Sequence, residues 1–403
     1  MEQVVKKIST YSGDWAGVCS ALYELGGMVV IHDASGCNST YTTFDEPRWS
    51  QQNSMFYISG LAEMDAVLGN DEKLIKDVIE AAEKMNPIFI ALVGSPIPSM
   101  LGTDLEGLAA YIEHQTKIPS FGFSTNGMEC YVKGGALALE KLAMRFCEKK
   151  EKNKKENNVK SLNILGMTPL DFSICGNLEA MRTSFENMGY KIQSVWAMGS
   201  SLEELKKAAE AHVNVVVSTL GLRVAKYMKK QFHIPYVIGL PIGVKGEMQM
   251  KQLMKEADIK KENQYLTSQN GKIEEKILII GEPIIAGSIR YCLKEDFDFK
   301  NVHVLCPLKI DSLLVEEEVY FEEMDSFISE ESKIEEKMEE YPIVIADPMY
   351  RPLLSGRKET LFISLPHEAF SSRIYREEAP VFIGNAFKQE IEKRWKKSIK
   401  GKD

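Results

Sequence analysis

The sequence MVVIHDASGC, residues 28–37, places an apolar run directly before a short stretch of small and polar residues. A β-branched run that ends in such a stretch is typical of a buried parallel strand. Comparable runs recur along the chain at 87–93, 162–165, 213–218, 276–280 and 342–346. Stretches with helical periodicity separate them, so the sequence predicts an α/β protein with parallel sheets.

The length of the chain favours several domains, because a domain usually has about 100–200 residues and this chain has 403. Residues 148–158 (EKKEKNKKENN) have almost no apolar side chain and predict a solvated linker. We therefore predict three Rossmann-like parallel-sheet domains. The first covers 1–150 and carries the loop of Cys37, the second covers 159–270, and the third covers 271–403 and ends in an amphipathic helix.

Composition excludes several classes of protein. Hydrophobic residues are 44% and charged residues 27%, as in ordinary globular proteins. The net charge of −9 argues against nonspecific binding to nucleic acid or to anionic membranes, which requires clustered positive charge. No apolar run approaches the roughly 20 residues that span a bilayer, and residues 1–10 lack the apolar core of a signal peptide. We expect a cytoplasmic protein.

The cysteine pattern excludes the common cysteine-rich folds. The chain has seven cysteines and no CxxC pair, which argues against a disulfide framework, a zinc ribbon or a ferredoxin-type run. Four of them, in predicted helices or at a strand or helix end, are expected to be reduced structural thiols: Cys147, Cys175, Cys292 and Cys306. The helix that begins near Asn177 could lower the pKa of the Cys175 thiol.

Nucleotide-binding motifs are missing from the sequence. The turn at 281–287 follows a predicted strand but is not GxGxxG, and no segment matches GxxxxGK[ST]. We expect no nucleotide to be bound by this chain.

Cys37 is the most unusual cysteine because of its position. It follows a predicted strand, where the carboxyl end of an open sheet faces a ligand crevice. Gly36 leaves room for a bulky inorganic group beside it. From the residues alone, Cys37 is either the ligand of an inorganic cluster or a loop cysteine at a subunit interface.

Four segments, in the same order as in the family, resemble the nitrogenase component 1 family. The resemblance implies the three-domain fold of that family, an iron–sulfur cluster at a subunit interface, and an ATP-dependent reductase as electron donor. The segments are HDASGC (32–37), EMDAVLGNDEKL (63–74), VGSPIPSMLGTD (93–104) and residues 213–243.

The cluster ligands that the resemblance implies are only partly present. Cys37 matches the second cysteine of the family, whereas Tyr11–Ser12 and Ser95–Pro96 stand where the first and third would be. A homodimer that contributes Cys37 and one more cysteine from each chain would supply the four thiolates of a [4Fe–4S] cluster. Cys19 is the first choice for the second ligand, its alternative being a core cysteine on a helix, and Cys130 is the further candidate. Polar residues near the loop could surround the cluster: Asp33, Asn38, Thr40 and Arg48.

The resemblance also marks a second site, where the family's cofactor-binding cysteine follows a second-domain strand. This chain has Ser218 and Thr219 there, so we do not expect reduction of dinitrogen on an iron–molybdenum-type cofactor. His367 lies in a segment that resembles the family pattern after a third-domain strand. It is either a hydrogen-bonded structural residue or a ligand or acid.

The resulting expectation is a nitrogenase-like oxidoreductase subunit. It would pair with an identical copy or a paralogous component 1 subunit and accept electrons from a nitrogenase reductase-like ATPase iron protein. It would then reduce a small molecule or a tetrapyrrole-like substrate in the cleft between its three domains. The alternatives are a maturation scaffold that holds a cluster or a cofactor precursor without turnover, and a noncatalytic paralogue.

Overall fold

The computed structural model describes residues 6–9, 11–34, 36, 38, 41, 45–148, 159–310, 314, 320–356 and 359–400. These residues form three separate parallel sheets with helices packed against them. The predicted fold class is therefore confirmed. Most of the predicted linker, residues 149–158, lies outside the described residues.

The first sheet has four strands in the order β2-β1-β3-β4, all parallel, with Met28 opposite Met55 and Ile90. Helix α3 shows why these elements form, since Leu74, Val78 and Ala82 recur every four residues and are its buried face. The elements are α1 (Asp14–Leu22), β1 (Met28–His32), β2 (Met55–Ile58), α2 (Glu63–Leu68), α3 (Asp71–Met85), β3 (Ile90–Gly94), α4 (Pro96–Leu101), α5 (Leu105–Thr116), β4 (Ser120–Phe123) and α6 (Tyr131–Phe146).

The second sheet has five parallel strands in the order β6-β5-β7-β8-β9. Its elements are β5 (Ser161–Leu165), α7 (Pro169–Phe172), α8 (Asn177–Asn187), β6 (Lys191–Trp196), α9 (Leu202–Lys206), β7 (Val213–Val216), α10 (Leu222–Phe232), β8 (Tyr236–Ile238), α11 (Gly243–Lys260) and β9 (Gln264–Tyr265).

The third sheet also has five parallel strands, in the order β12-β11-β10-β13-β14. Its elements are β10 (Ile277–Ile280), α12 (Pro283–Glu295), β11 (Val302–Cys306), β12 (Ser326–Phe327), α13 (Glu331–Glu339), β13 (Ile343–Ala346), β14 (Leu361–Ser364), α14 (Glu368–Ser371) and α15 (Asn385–Lys400).

Each sheet reverses its strand order at one place, and these places position the candidate sites. The reversals lie between β1 and β3, between β5 and β7, and between β10 and β13. Ligands of open α/β sheets bind outside the carboxyl ends of the strands at such reversals. The loop of Cys37 follows β1, and the segments that carry Ser218 and Glu282 follow β7 and β10.

Helices α1 and α6, both packed beside the first sheet, lie unusually close to each other. A Cβ added to Gly17 would lie 1.9 Å from the carbonyl oxygen of Tyr131, and one added to Gly134 would lie 1.9 Å from that of Asp14. Only glycine permits this approach of the two backbones.

Two segments differ from the sequence-based expectation. The predicted turn at 281–287 is mostly the start of α12, because the Glu282 carboxylate accepts the N–H of Ile285 and Pro283 occupies the first helical position. Residues 316–340, which the acidic sequence predicts to be helical, contain the short strand β12 and, among the described residues, an α-helix only at Glu331–Glu339. Among the described helices, none is both long and apolar enough to cross a membrane.

Candidate cluster site and sheet junction

The loop that follows β1 contains Cys37, which lies outside the described residues, as does Thr40. Its described residues bond to one another and to the next strand. Asn38 donates a hydrogen bond from Nδ2 to the carboxylate of Asp33, and the backbone N–H of Asp33 donates to Oγ of Ser59 at 3.1 Å. The first part of the loop is thus fixed to the carboxyl edge of the first sheet.

Arg48 anchors the far end of this loop in the interior. It is only 2% exposed, and its guanidinium pairs with Glu46 at 2.6 Å and Glu24 at 2.9 Å. It also donates to the carbonyl oxygens of Ser20 at 2.8 Å and Ala197 at 2.9 Å. Arg48 therefore links this part of the loop to α1 and to the second sheet, and its guanidinium N–H groups donate to protein oxygens.

Cys130 lies at the same edge of the first sheet, directly before α6. It forms an antiparallel bridge with Gly13, and the N–H of the following residue donates to the carbonyl oxygen of Ser12 at 3.0 Å. Burial raises the pKa of the Cys130 thiol to about 11, while the backbone N–H groups of Val132 and Lys133 act in the opposite direction. Cys130 thus stands beside the segment where the family resemblance implies a first cysteine.

Ser95, at the implied position of the third cysteine, is fully buried and its Oγ has no hydrogen-bond partner. It follows β3, so it shares the carboxyl edge with the loops of Cys37 and Cys130. A Cβ added to Gly127 would lie 3.0 Å from Cγ of Pro96, which shows how closely the loop before α6 passes the start of α4. An unsatisfied buried hydroxyl is uncommon in proteins.

Cys19 lies within α1 and is fully buried among apolar residues such as Val18 and Leu22. Burial, with the nearby charge of Glu46, raises the pKa of its thiol well above the ordinary range. A negative neighbour disfavours a thiolate. The surroundings of Cys19 are therefore those of the core cysteine that the sequence left open.

The four cysteines expected to be structural are all free thiols. Cys292 and Cys306 are buried, and Cys147 and Cys175 are partly buried. The pKa of the Cys175 thiol is raised rather than lowered, because desolvation outweighs the hydrogen bonds from Asn177. The N–H of Asn177 at the helix start acts to lower this pKa, as expected, but burial has the larger effect.

The hydroxyl residues of the second implied site both act within the protein. Ser218 donates to the carbonyl oxygen of Gly166 at 2.8 Å. Thr219 donates from its N–H at 2.8 Å, and from its hydroxyl, to Oε1 of Glu282 in the third sheet. Burial and the charge of Asp171 raise the pKa of Glu282 to about 7.

The side chains of Tyr131, Asp171 and His367, which belong to the first, second and third sheet units, meet one another. We call this place the junction of the three sheets. The Tyr131 hydroxyl donates to Oδ1 of Asp171 at 2.5 Å, and Nε2 of His367 lies 3.4 Å from the same oxygen. Oδ2 of Asp171 and both imidazole nitrogens of His367 are buried without a hydrogen-bond partner. The arrangement is a buried acid–imidazole pair with unused hydrogen-bonding capacity.

Sequence reasoning missed Asp171, Glu282 and Tyr131 as members of this cluster. Glu282 directly follows the apolar run 276–280, which is a usable signal for a strand-end position. Asp171 and Tyr131 lie in short or helical segments that carry no motif. Their meeting depends on the packing of three sheets, which the sequence pattern does not specify.

Large apolar side chains are exposed around the carboxyl edge of the first sheet. They lie in the segments that follow β2, β3 and β4. Such exposed groups often mark an interaction surface. We call this set the apolar edge; it comprises Met64, Val67, Leu68, Ile97, Met100, Leu101 and Met128, between 40% and 88% exposed.

Comparisons with known proteins agree with this architecture. The family described as nitrogenase component 1 type oxidoreductase matches residues 15–291, and the chain belongs to this family. The solved structure "Nitrogenase Cp1 at pH 6.5" aligns with a TM-score of 0.70 and 16% identity, over 99% of this chain and 95% of that one. At that identity the likeness shows the fold.

Curated relatives include both a biosynthesis protein and a reductase. The chain is 28% identical over 197 residues to the nitrogenase iron-molybdenum cofactor biosynthesis protein NifE of Methanosarcina barkeri, covering 46% of this chain and 42% of that protein. It is 25% identical over 182 residues to a subunit of the light-independent protochlorophyllide reductase of Staurastrum punctulatum, covering 44% and 36%. The matches span less than half the length of these relatives.

The described residues at the first sheet's edge supply one thiol that could bind an iron–sulfur cluster, that of Cys130. Within the described residues, no group of three or more His, Cys, Asp or Glu side chains is arranged to hold a metal ion. Cys37 lies outside those residues, and a cluster between two chains would take ligands from both. The Cys130 thiol, directly before a helix, is a donor of the kind that such a cluster needs, and the buried Ser95 hydroxyl without a partner lies at the same sheet edge.

Proposed function

We propose that this chain is the component 1 subunit of a cytoplasmic, nitrogenase-like oxidoreductase that binds a [4Fe–4S] cluster at a subunit interface. The cluster accepts electrons from an ATP-dependent, nitrogenase reductase-like iron protein and passes them to a small-molecule or tetrapyrrole-like substrate. The observation that supports the proposal is that, in a member of this family, Ser95 and Cys130 follow β3 and β4 at the sheet edge where β1 also ends, and Cys37 follows β1 in the sequence.

For the thiolate ligands, we propose Cys37 and Cys130 of each chain. Burial raises the pKa of both thiols; at Cys130 the N–H groups of Val132 and Lys133 and the charge of Lys133 partly offset it, whereas at Cys19 the charge of Glu46 adds to it. Cys19 is the alternative second ligand. Asp33 and Asn38 would support the loop through their mutual hydrogen bond.

For the dimer, we propose that the apolar edge is covered by a second copy of this chain or by a paralogous component 1 subunit. Two thiolates from each chain complete a four-iron cluster only when two subunits meet at this surface. Burying the seven exposed apolar residues supplies a hydrophobic driving force for that contact.

For the substrate, we propose the junction of the three sheets as the binding region. Asp171 and His367 offer a buried carboxylate and an imidazole there, which are the usual groups for holding or moving a proton. Their unpartnered atoms are available to a polar group of the substrate.

The test is anaerobic purification followed by measurement of iron, sulfide and electron paramagnetic resonance (EPR). We expect about one cubane per dimer. Cys37→Ala and Cys130→Ala are expected to lose the cluster, whereas Cys19→Ala and the matched control Cys292→Ala keep it. An iron-free, folded and stable dimer would overturn the proposal. Loss of iron in Cys19→Ala but not in Cys130→Ala would show that Cys19, and not Cys130, is the second ligand.

The second candidate is a maturation scaffold that holds a cluster or precursor without turnover. It is favoured by the similarity to NifE and by the absence of a cysteine at Ser218. The two functions differ in the fate of the iron. An oxidoreductase would be reoxidised when substrate is added and keep its iron, whereas a scaffold would lose iron stoichiometrically to an acceptor protein.

A further inference from the structure

The N-terminal segment precedes the first sheet in the sequence but packs against the unit of the third sheet. We call its described residues, 6–9, 11 and 12, the N-terminal strap. One end of the strap lies on α13 and the other lies on α14, after which the chain enters α1 beside the first sheet. The strap therefore joins two units that are far apart in the sequence.

Glu331, the first residue of α13, binds the outer end of the strap through its carboxylate. Oε2 accepts the backbone N–H groups of Lys6 at 2.9 Å, Lys7 at 3.1 Å and Ile8 at 3.2 Å, and Oε1 accepts that of Lys7 at 3.2 Å. Glu331 is only 4% exposed. Burial acts to raise the pKa of this carboxyl, but the three N–H groups and the charge of Lys7 outweigh it and the pKa is lowered. The carboxylate is therefore ionised at neutral pH, where its hydrogen bonds are strong.

Lys7 adds an ion pair on the surface. Its Nζ lies 2.5 Å from Oε1 of Glu335, one turn further along α13, and the two side chains are 39% and 29% exposed. Exposed pairs of this kind contribute little to stability and are weakened by salt. The buried bonds to Glu331 therefore supply most of the attachment of the strap to α13.

The inner end of the strap is bonded to two units at once. The N–H of Ser12 donates to the carbonyl oxygen of Ala369 in α14 at 2.9 Å. The carbonyl oxygen of Ser12 accepts the N–H of Tyr131, the first residue of α6, at 3.0 Å. Ser12 thus connects the unit of the third sheet with that of the first.

Tyr11 couples the strap to the junction of the three sheets. Its ring packs edge to face against the ring of Phe370, with centroids 6.3 Å apart, and the centroid of the Phe370 ring lies 4.7 Å from that of the His367 imidazole. His367 is one of the three side chains that meet at the junction. A movement of the strap therefore changes the packing behind His367.

We propose that the N-terminal strap is a conformational device: docked on Glu331, it holds the unit of the third sheet against that of the first and keeps His367 at the junction, and released, it lets the junction open. This inference goes beyond the proposed function and needs no bound cluster or substrate. Segments held by a few bonds open locally without global unfolding. The unit of the third sheet also stays bonded to that of the second through Glu282, which accepts the N–H of Thr219 at 2.8 Å, so release of the strap leaves the chain folded.

The test is hydrogen–deuterium exchange of the purified full chain, measured by mass spectrometry on peptides that cover residues 6–12, 129–133 and 367–371. Glu331→Ala removes the acceptor of the three N–H groups. Glu335→Ala is the matched control, because it lies on the same helix and removes only the ion pair. Lys7→Pro and Lys7→Ala form a second pair, since both lose the ion pair but only proline also removes the backbone N–H. Circular dichroism reports folding.

We expect residues 6–12 to exchange on the order of 10-fold faster in Glu331→Ala and in Lys7→Pro. The peptides that contain Tyr131 and residues 367–371 should also exchange faster in these two variants. Glu335→Ala and Lys7→Ala should stay within about twofold of the wild type.

Wild-type exchange of residues 6–12 in folded Glu331→Ala would overturn the inference, as would equal effects of Glu331→Ala and Glu335→Ala. Faster exchange confined to residues 6–12 would overturn it too, because the segment would then be a local tail without influence on the junction. If Glu331→Ala does not fold, the two Lys7 variants decide by the same criteria.

Discussion

The hydroxyl of Tyr131 donates a hydrogen bond to Oδ1 of Asp171 across 2.5 Å, and neither side chain reaches solvent. Tyr131 is the first residue of α6, next to Cys130, whereas Asp171 lies in α7 of the second sheet. This bond connects the edge that carries the candidate cluster ligands with the junction of the three sheets. It is also the only hydrogen bond found for the Asp171 side chain among the described residues.

Replacing Tyr131 with Phe, which removes only the hydroxyl group, should therefore lower the free energy of unfolding clearly. It leaves a buried carboxylate without a donor, which costs about 1–3 kcal/mol. Urea unfolding of the purified protein measures the change. Tyr111→Phe, at a residue 50% exposed, is the control and should leave the free energy of unfolding within about 0.5 kcal/mol of the wild type. Equal effects of the two substitutions would contradict the prediction.

Because of Glu282, the free energy of unfolding should decrease as the pH rises toward neutrality. Its pKa is raised from 4.5 to about 7 by burial and by Asp171. The unfolded carboxyl loses its proton at lower pH, so the folded state binds more protons between these two values, and stability decreases across that window. Above this pH window, Glu282 is ionised in the folded protein, and the free-energy cost of burying its charge is fully present.

Urea unfolding at a series of pH values tests this prediction. In Glu282→Gln, the free energy of unfolding should decrease less with rising pH. In Asp171→Asn, the decrease should occur at lower pH, because the charge that repels the Glu282 carboxylate is gone. The exposed Glu392→Gln is the control and should keep the wild-type slope. A slope unchanged in Glu282→Gln would show that another group titrates.

The strand pattern of the fold could be predicted because buried parallel strands leave a strong local signal. Residues 28–31, 162–165 and 276–280 are largely apolar, and each forms a central strand of its sheet. Strand β2, with the sequence MFYI, is also apolar, but it is only four residues long and only partly buried. Strand β4, with the sequence SFGF, is short and has a glycine in its middle.

The candidate site was predictable only where residues adjacent in sequence act together. The loop of Cys37 can be located because it directly follows a strand. The approach of Cys130 to Ser12, by contrast, depends on glycines that let α1 and α6 meet, and the contact of Arg376 with Asp45 joins residues 331 positions apart. Tertiary packing determines such contacts, and local sequence periodicity does not encode them.

Ser95 should respond to substitution in the opposite way from its neighbour Thr125. The Ser95 hydroxyl is buried without a partner, so Ser95→Ala in the iron-free protein should be neutral or stabilise it by up to about 1 kcal/mol. The Thr125 hydroxyl donates to the carbonyl oxygen of Gly94 at 2.7 Å, so Thr125→Val should cost about 1–2 kcal/mol. Urea unfolding distinguishes the two, and a loss in Ser95→Ala as large as in Thr125→Val would contradict the prediction. In the iron-loaded dimer, a changed EPR spectrum of Ser95→Ala would indicate that this hydroxyl lies beside the cluster.

Arg48 should be among the least replaceable charged residues of the described chain. Its partners Glu46 and Glu24 have side chains 0% and 7% exposed, so Arg48→Met leaves two buried carboxylates without their cation. Removing one partner of a buried ion pair costs about 3–5 kcal/mol. Arg223→Gln is the matched control, because that arginine also pairs with a glutamate, Glu140, but is 42% exposed, and an exposed pair contributes about 1 kcal/mol or less. Chemical denaturation of both variants measures the difference; a loss below about 1 kcal/mol in Arg48→Met would mean that the loop of Cys37 is held by its other contacts.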